Sequence, residues 1–530
     1  VSAAIMNNNQ ILLDTRVSAK QNRVLGNRGA MLFVILTSLF MIVTLTVAVL
    51  TVTSNALYTN RQQVARASAL NIAESGAERG ALWIREQATP PSGTADINVT
   101  TSIGNPPIGT WNVIVRPDPN NPSQFLKIYR IISAGTVRNR TKTVEVVVKQ
   151  SSFGKYAYFT DSETSSGGGA IWWNSKDKID GPVHSNNKNG TNFNIDYSAW
   201  SSNTPTRPIF LDMVTGSGST INYTPSRPTT ETTFKKVFLN GSSGYRLGVE
   251  TINMPPSTTA QKEAAWGAAS GFPTTTGVYL RAGSSGGLYI QGDSTITMSV
   301  SGTGNQVMTI KQGSNTTVVT YNKTAGTITT SGPMGSGSAT SASSLSNGVI
   351  YCTGNITSLS GTIADNVVAS GQITQRSAYT IATDTSGGKD ITVTGDIVYK
   401  TKPDKTLAPD AAVNLAAGTL GLVSRNVLIA DDGTNAHVHA NREIDAVMMA
   451  GGSNTTGSIS VNNYDQGTKG TLRVVGGLIQ SVRGIVASLS GGSVSSGYAK
   501  DYCYDPRMSA APPPFYPTTG QYDRMSWQVL

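Results

Sequence analysis

Cysteine is nearly missing from this chain: Cys352 and Cys503 are the only two in 530 residues. That excludes a disulfide framework and any cysteine-rich zinc site. One bridge between the two, on the oxidising side of a membrane, and a pair of inert buried thiols both remain open, because sequence spacing does not say whether the Cα atoms approach within about 7 Å. Histidine is as scarce, with three residues, and only 14% of the chain is charged. The balance is basic, at +10, yet Lys and Arg form no run of five and do not alternate with aromatic residues. Nucleic acid is therefore not an expected partner, and the excess reads as a solvated surface. Charge is wholly absent from residues 30–52, AMLFVILTSLFMIVTLTVAVLTV.

That uncharged run is the first thing present. As a helix it extends roughly 34 Å at 1.5 Å per residue, enough to cross the hydrocarbon of a bilayer. Arg16, Lys20, Arg23 and Arg28 precede it against Asp14 alone. The positive-inside bias keeps that leader in the cytoplasm and puts the rest of the chain on the far side. Beyond the run, Ala65, Ala69, Ile72, Gly76 and Ala77 follow helical spacing, so the helix continues as a stalk until Thr89-Pro90-Pro91-Ser92-Gly93 stops it. Small residues on that face permit close packing, either with other helices or with the chain's own globular part.

The remainder holds most of the 55 glycines with abundant Ser, Thr and Asn, a composition for short strands and many turns. Trp111 to Arg116, Phe125 to Ala134 and Thr141 to Lys149 are β-branched runs that predict a small antiparallel sheet. Further on, Gly-x-apolar steps recur at Gly354, Gly371, Gly395, Gly421 and Gly477. The early intervals (354 to 371, 371 to 395, 395 to 421) are near one turn of a parallel solenoid, though uneven. The expected fold is mainly β with one long N-terminal transmembrane α-helix, its body an irregular right-handed parallel β-helix, with a β-sandwich as the alternative. Segments 213–234 and 313–346 are Gly/Ser/Thr-rich and predict long loops. The organisation is a cytoplasmic basic leader (1–29), a transmembrane and stalk helix (30–88), a small antiparallel sheet (95–150), a solenoid body (151–511) and a Pro/aromatic cap (512–530). In that cap Pro512, Pro513, Pro514 and Pro517 lack the N–H groups to continue a ladder and, with Phe515 and Tyr516, predict a clasp over the last rung.

Several segments resemble known families. Arg28-Gly29-Ala30-Met31-Leu32 before the apolar run resembles the class III leader of type IV pilins and type II secretion pseudopilins, most of all PilX-like minor pilins. The resemblance implies cleavage by prepilin peptidase between Gly29 and Ala30, methylation of the new N-terminus, and partnership with the lipid bilayer and other pilin-like subunits. Most pilins carry Glu at the fifth mature position, which here is Val34; some minor pilins and a tip-like pseudopilin also lack it, so a minor or tip subunit is implied. Ala73, Glu74, Gly76 and Arg79 match the A-x-x-A-E-x-G-x-x-R-A signature that follows the span in PilX-like proteins, where the helix packs. Tyr129 to Gly135 resembles the Y-x-I-x-S-x-G strand of pilin-like heads. YAYFTDSE (156–163), DKIDGPVHSN (177–186) and the stretch from Ser496 to Pro517 resemble an uncharacterised prokaryotic family, a domain of unknown function often found behind prepilin-type leaders, over roughly 150–530.

Residues for chemistry are sparse. His437 and His439 share a strand face at a chelating spacing with Glu443 and Asp445 close behind, but no third ligand is identifiable, so no metal and no cofactor are expected. His184 has the type of a general base, without an activated Ser or Cys beside it. Asp177, Asp180, Asp396, Asp431 and Asp432 are the acids a glycan-cleaving solenoid would need; most follow Gly or sit in turns. No enzyme activity is expected. The sequence points to a structural cell-envelope protein, single-pass in the cytoplasmic membrane, pilin-like, displaying its β domain for assembly or adhesion, with glycans, surfaces and other subunits open as contacts. A permanently anchored envelope protein and an envelope polysaccharide-active enzyme are the alternatives.

Overall fold

The computed structural model describes residues 28–86, 97–103, 109–118, 127–187, 190–200, 207–281, 286–336, 341–342, 347–430, 441–452, 456–490 and 493–530. The basic leader ahead of Arg28, together with Asp431, Asp432, His437 and His439, lies outside them.

One helix, Arg28–Glu86, runs through span and stalk without a break. Its 59 residues make a rod about 88 Å long. No proline or glycine pair interrupts it. Behind it stands a five-stranded antiparallel sheet. Ile97–Ile103, Gly109–Pro117, Ile128–Val137 and Arg140–Ser152 pair in sequence order, and Thr518–Val529 joins the last of them as an edge. The final strand corrects the expected cap at 512–530. Residues from Thr518 onward are extended and return to this sheet across nearly the whole chain.

The body is a large mixed sheet whose longest strand files pair in parallel. The first file contains ten strands. Leu288–Gln291, Val349–Cys352, Ala378–Thr383, Thr419–Ser424, Arg442–Ala450 and Thr468–Val482 pair in succession. Tyr158–Ser162, Val183–Ser185, Val214–Gly216 and Tyr245–Leu247 then continue it. Stacked residues therefore form columns such as Ile381, Leu422, Met448, Leu478, Tyr158, Val183. The chain thus enters the file in the middle, at Tyr158, builds to one end at Tyr245, then crosses to the other end and builds back.

A second file stacks Ser294–Val300, Ile356–Ile363, Ile391–Tyr399, Val427–Ile429 and Ile459–Val461. Trp172–Asn174, Thr191–Asp196 and Thr220–Thr224 form a separate parallel sheet in the other half. A third file carries the column Ile397, Ile444, Val474, Tyr502, Ile179, Phe210, Phe238. Its members are fully buried or nearly so, which is where the core lies. Within the first file, Val349–Cys352 is buried on both faces, as its unbroken apolar run requires.

At the corner between the first and second files, side chains from successive crossings form a hydrogen-bonded line. Asn355 N donates to Asp293 Oδ1 (2.8 Å), Asp390 N to Asn355 Oδ1 (3.0 Å), Asn426 N to Asp390 Oδ1 (3.1 Å) and Ser458 N to Asn426 Oδ1 (3.1 Å). Each turn's side-chain oxygen satisfies the backbone of the next, so backbone groups that leave the ladders at the corner still find partners.

The crossing segment, residues 248–281, straps along the strand ends. Asn186 bonds Ile252 through both its amide atoms, Met254 lies against Gly451 and Ser481, and Thr258 Oγ1 donates to Thr383 O at 2.7 Å. Residues 512–517 lie on the flank of the first file instead of over its last rung. Gly421 has no side chain, and Tyr516 and Pro513 occupy that space, while Thr380 Oγ1 donates to Pro514 O.

Two other expectations change. The Thr-rich segments taken as loops contain strands: Val214–Gly216 and Thr220–Thr224 in one, and the hairpin Asn315–Asn322 with Thr327–Ser331 in the other. In that hairpin Thr317, Val319 and Tyr321 alternate inward, so threonine serves as a strand former despite the glycines around it. The Gly-x-apolar steps are not one repeat either. Gly421 and Gly477 share a column through Val447, whereas Gly371 belongs to a separate two-stranded hairpin.

Candidate functional site

From Gly29 to Val64 the helix is exposed at every residue except half-buried Gln62, and apolar side chains such as Leu36, Phe40 and Met41 stand 62–74% exposed. No described part of the chain covers them. The helix is long and apolar enough to cross a membrane. Its polar side chains bond inward: Ser38 Oγ to Val34 O, Thr46 Oγ1 to Ile42 O and Thr51 Oγ1 to Val47 O, each at 2.7 Å. A hydroxyl returned to its own helix needs no water, which suits hydrocarbon surroundings. Val34, the position matching the usual pilin glutamate, is 60% exposed. Gly29 has open space around it.

The lower helix is seated on the five-stranded sheet. Ala65, Ala69, Ile72, Ala73, Gly76, Ala77, Gly80 and Ile84 form its buried face. The close approach depends on missing side chains on both surfaces. A Cβ on Gly135 would run into the backbone of Ala69 and Ala73, and one on Gly80 would lie 2.8 Å from Ile131. Gly76 likewise faces Ser133 and Trp111. The small residues predicted at Ala73 and Gly76 therefore pack against the chain's own sheet. Glu74 stays half-buried at the flank, beside Arg524 and Trp527. Arg79 pairs with Glu86 at 3.2 Å.

Motifs hundreds of residues apart meet in the body. Lys500 Nζ lies 2.8 Å from Asp177 Oδ2, and Arg483 Nη1 lies 3.0 Å from Glu163 Oε2, with all four side chains at most 5% exposed. Trp173 packs between them, its ring 3.9 Å from the Arg483 guanidinium. Burial pushes the Lys500 ammonium down from its ordinary range, and Asp177 opposes that by its charge. His184 is buried between Thr215 Oγ1 (2.9 Å) and Asn186 Oδ1 (3.0 Å), and Asn186 in turn donates to Asp161. Burial, aided by Lys155, holds the imidazole below its usual range. These contacts latch the first strands of the body to the last, Ser493–Tyr504. Sequence reading named Asp177 and His184 but not Arg483, Trp173 or this closure, since no local pattern reports it.

The two cysteines are free thiols, with no bridge between them. Cys352 lies in the first file, where burial pushes its thiol up to about 11. Cys503 lies in the third file and is raised by burial as well. Both are protonated at neutral pH and poor nucleophiles.

Outside the third file lies a groove of about 720 Å³ that sequence reading did not find. An alternating row of charges runs along its floor: Glu443, Arg473, Asp501 and Lys178 occupy adjacent positions on four neighbouring strands, and all but Asp501 line the groove. Arg473 reaches Asp501 at 2.8 Å and Glu443 at 3.5 Å, and Lys178 reaches Asp501 at 3.0 Å. From the segment above, Lys402 bridges Glu443 (2.9 Å) and Asp445 (2.7 Å), and Lys405 pairs with Asp180. Asp396 lies apart, 3.6 Å from Arg442. Thus each candidate acid within the described residues, Asp177, Asp180 and Asp396, is held in an ion pair. Among the described residues no group of three metal-ligating side chains converges.

Residues 128–206 match the family described as a domain of unknown function, DUF4900. That stretch opens in the small sheet and ends after Thr191–Asp196, so it is shorter and begins earlier than the resemblance read over 150–530. No curated protein matches the chain. Among solved structures, the competence-associated pilin ComZ from Thermus thermophilus is similar at 13% identity, covering 88% of this chain and 98% of its own, with a TM-score of 0.26. A likeness of that size carries no argument about fold or activity.

Proposed function

We propose that this chain is a pilin-like structural subunit of the cell envelope, anchored by its N-terminal helix in the cytoplasmic membrane with the β body on the outer side. The observation that carries this reading is the helix itself: residues 29–61 all stand clear of the protein, and the apolar part fits a bilayer. A soluble protein would expose that surface only at the risk of aggregation. In lipid, or in a bundle with other pilin-like helices, it is covered by tails or by close helix packing. The leader-like junction at Gly29 and Ala30 supports removal of residues 1–29 by prepilin peptidase. Val34 in place of glutamate supports a minor or tip subunit.

The body fits an irregular right-handed parallel β-helix. Parallel pairing from rung to rung and the Asp293 to Ser458 corner line support this over a sandwich, whose strands would pair antiparallel. Hairpins such as Asn315–Asn322 with Thr327–Ser331 are then insertions on the coil. A display role without catalysis agrees with the ion-paired state of Asp177, Asp180 and Asp396.

Mass spectrometry of the purified protein, from cells with and without prepilin peptidase, tests the assignment. The expected N-terminus is methylated Ala30 in the first case and an intact leader in the second. An intact leader in peptidase-positive cells overturns the pilin-like reading and leaves a permanently anchored protein.

A further inference from the structure

We propose that the groove beneath residues 402–414 binds a short stretch of an uncharged glycan. This deepens the reading of the body as an exposed display domain, and rests on it for access to envelope polymers. The groove's volume lies within the range of small-ligand sites. Its lining carries four cationic and four anionic side chains, so it has no net charge to attract a polyanion or polycation. A charged ligand meets as many like charges as opposite ones. A hydroxyl both donates and accepts, and so fits anywhere along an alternating row.

The existing ion pairs do not exhaust that capacity. Arg473, Lys402 and Lys405 remain 34–46% exposed, Glu443 30%. An ammonium has three donors and a guanidinium five, while each carboxylate has about four acceptor sites. Sugar hydroxyls can therefore bridge the row without breaking it. Tyr504, Leu407 and Val475 add apolar surface within the same groove, suited to the C–H face of a pyranose ring. Below the floor, Asp445 keeps one buried oxygen, Oδ1, without a hydrogen-bond partner, while Oδ2 accepts from Tyr399 N and Lys402 Nζ.

An extended peptide fits less well. Peptides commonly add to an open sheet edge, but the floor strands Arg442–Ala450, Thr468–Val482 and Ser493–Tyr504 have neighbours on both sides. Recognition here has to run through side chains.

The test is calorimetric titration of the full chain, held in a detergent without a sugar headgroup. The panel contains neutral oligosaccharides (glucan, galactan, mannan and N-acetylglucosamine oligomers), with polygalacturonate and chitosan fragments as charged comparisons. Binding of at least one neutral oligomer is expected, weakened tenfold or more in Arg473→Met and in Lys405→Met, which alter the floor and the segment above it. Lys311→Met, on an exposed strand far along the sequence, should bind as the parent does. Thermal melts of each variant separate lost binding from lost folding. The proposal is overturned if no neutral oligomer binds at about 10 mM, a concentration that detects even millimolar affinity; if the charged fragments bind as well as the neutral ones; or if both groove variants, folded, bind unchanged. The anchor reading is untouched by any of these results, since it is read from the N-terminus and from membrane topology.

Discussion

His184 illustrates how burial decides what a residue does. Its type suggested a base, yet both ring nitrogens are engaged, by Thr215 and Asn186, and Phe159 stacks on it at 5.2 Å. Burial and the nearby Lys155 depress its pKa, so the folded state takes up a proton less readily than the unfolded chain, whose histidine titrates near 6.5. Between that value and the lower folded one, the unfolded state binds more protons, and stability falls as pH falls. His184→Gln should flatten the drop in melting temperature between pH 7.5 and 5.5; an unchanged slope would show that other groups govern acid sensitivity. The sequence exposed the histidine but not its partners, because Thr215 comes from the next strand of the file and Asn186 turns back by two residues. The two thiols were likewise visible only as alternatives until their separate files were known.

At the scale of elements, the helix was the most legible part. Lipid insertion depends on local composition, and a run without charge announces itself. The stalk's buried face was also readable from spacing, since Ala65, Ala69, Ile72, Gly76 and Ala77 all face the sheet. What spacing did not reveal is that the sheet supplies glycines of its own. Gly135→Val should wedge the helix off its seat and cost about 1–3 kcal/mol, the usual range for overpacking. Gly302→Ala, where a Cβ meets nothing within 4 Å, should change stability by about 0.5 kcal/mol or less. Thermal denaturation of the two variants checks the difference; equal melting temperatures would mean that the helix is not held at Gly135. The Thr-rich hairpins were misjudged because composition alone favours loops, whereas alternation at Thr317, Val319 and Tyr321 meets a buried surface contributed by distant strands.

For the whole molecule, sequence conveyed the β content but not which strands pair across it. The first file begins in its middle at Tyr158 and is completed by Thr468–Val482, some three hundred residues later. The strap at 248–281 and the return of Thr518–Val529 to the stalk sheet are non-local in the same sense. No window of sequence contains both halves of such a contact, and long-range pairings of this kind are also slow to form. Together the strap, the latch at Lys500 and Asp177, and the last strand tie body and stalk into one unit hung from a single helix.

The account depends most on that helix crossing a membrane with the body outside. Ser314 lies on an exposed turn, so Ser314→Cys places a reactive thiol on the body's surface while Cys352 stays buried. In intact spheroplasts a membrane-impermeant maleimide should label this cysteine as fully as it does after permeabilisation, with the protein remaining in the membrane fraction. Labelling only after permeabilisation, or recovery of the protein in the soluble cytosol, would contradict the account.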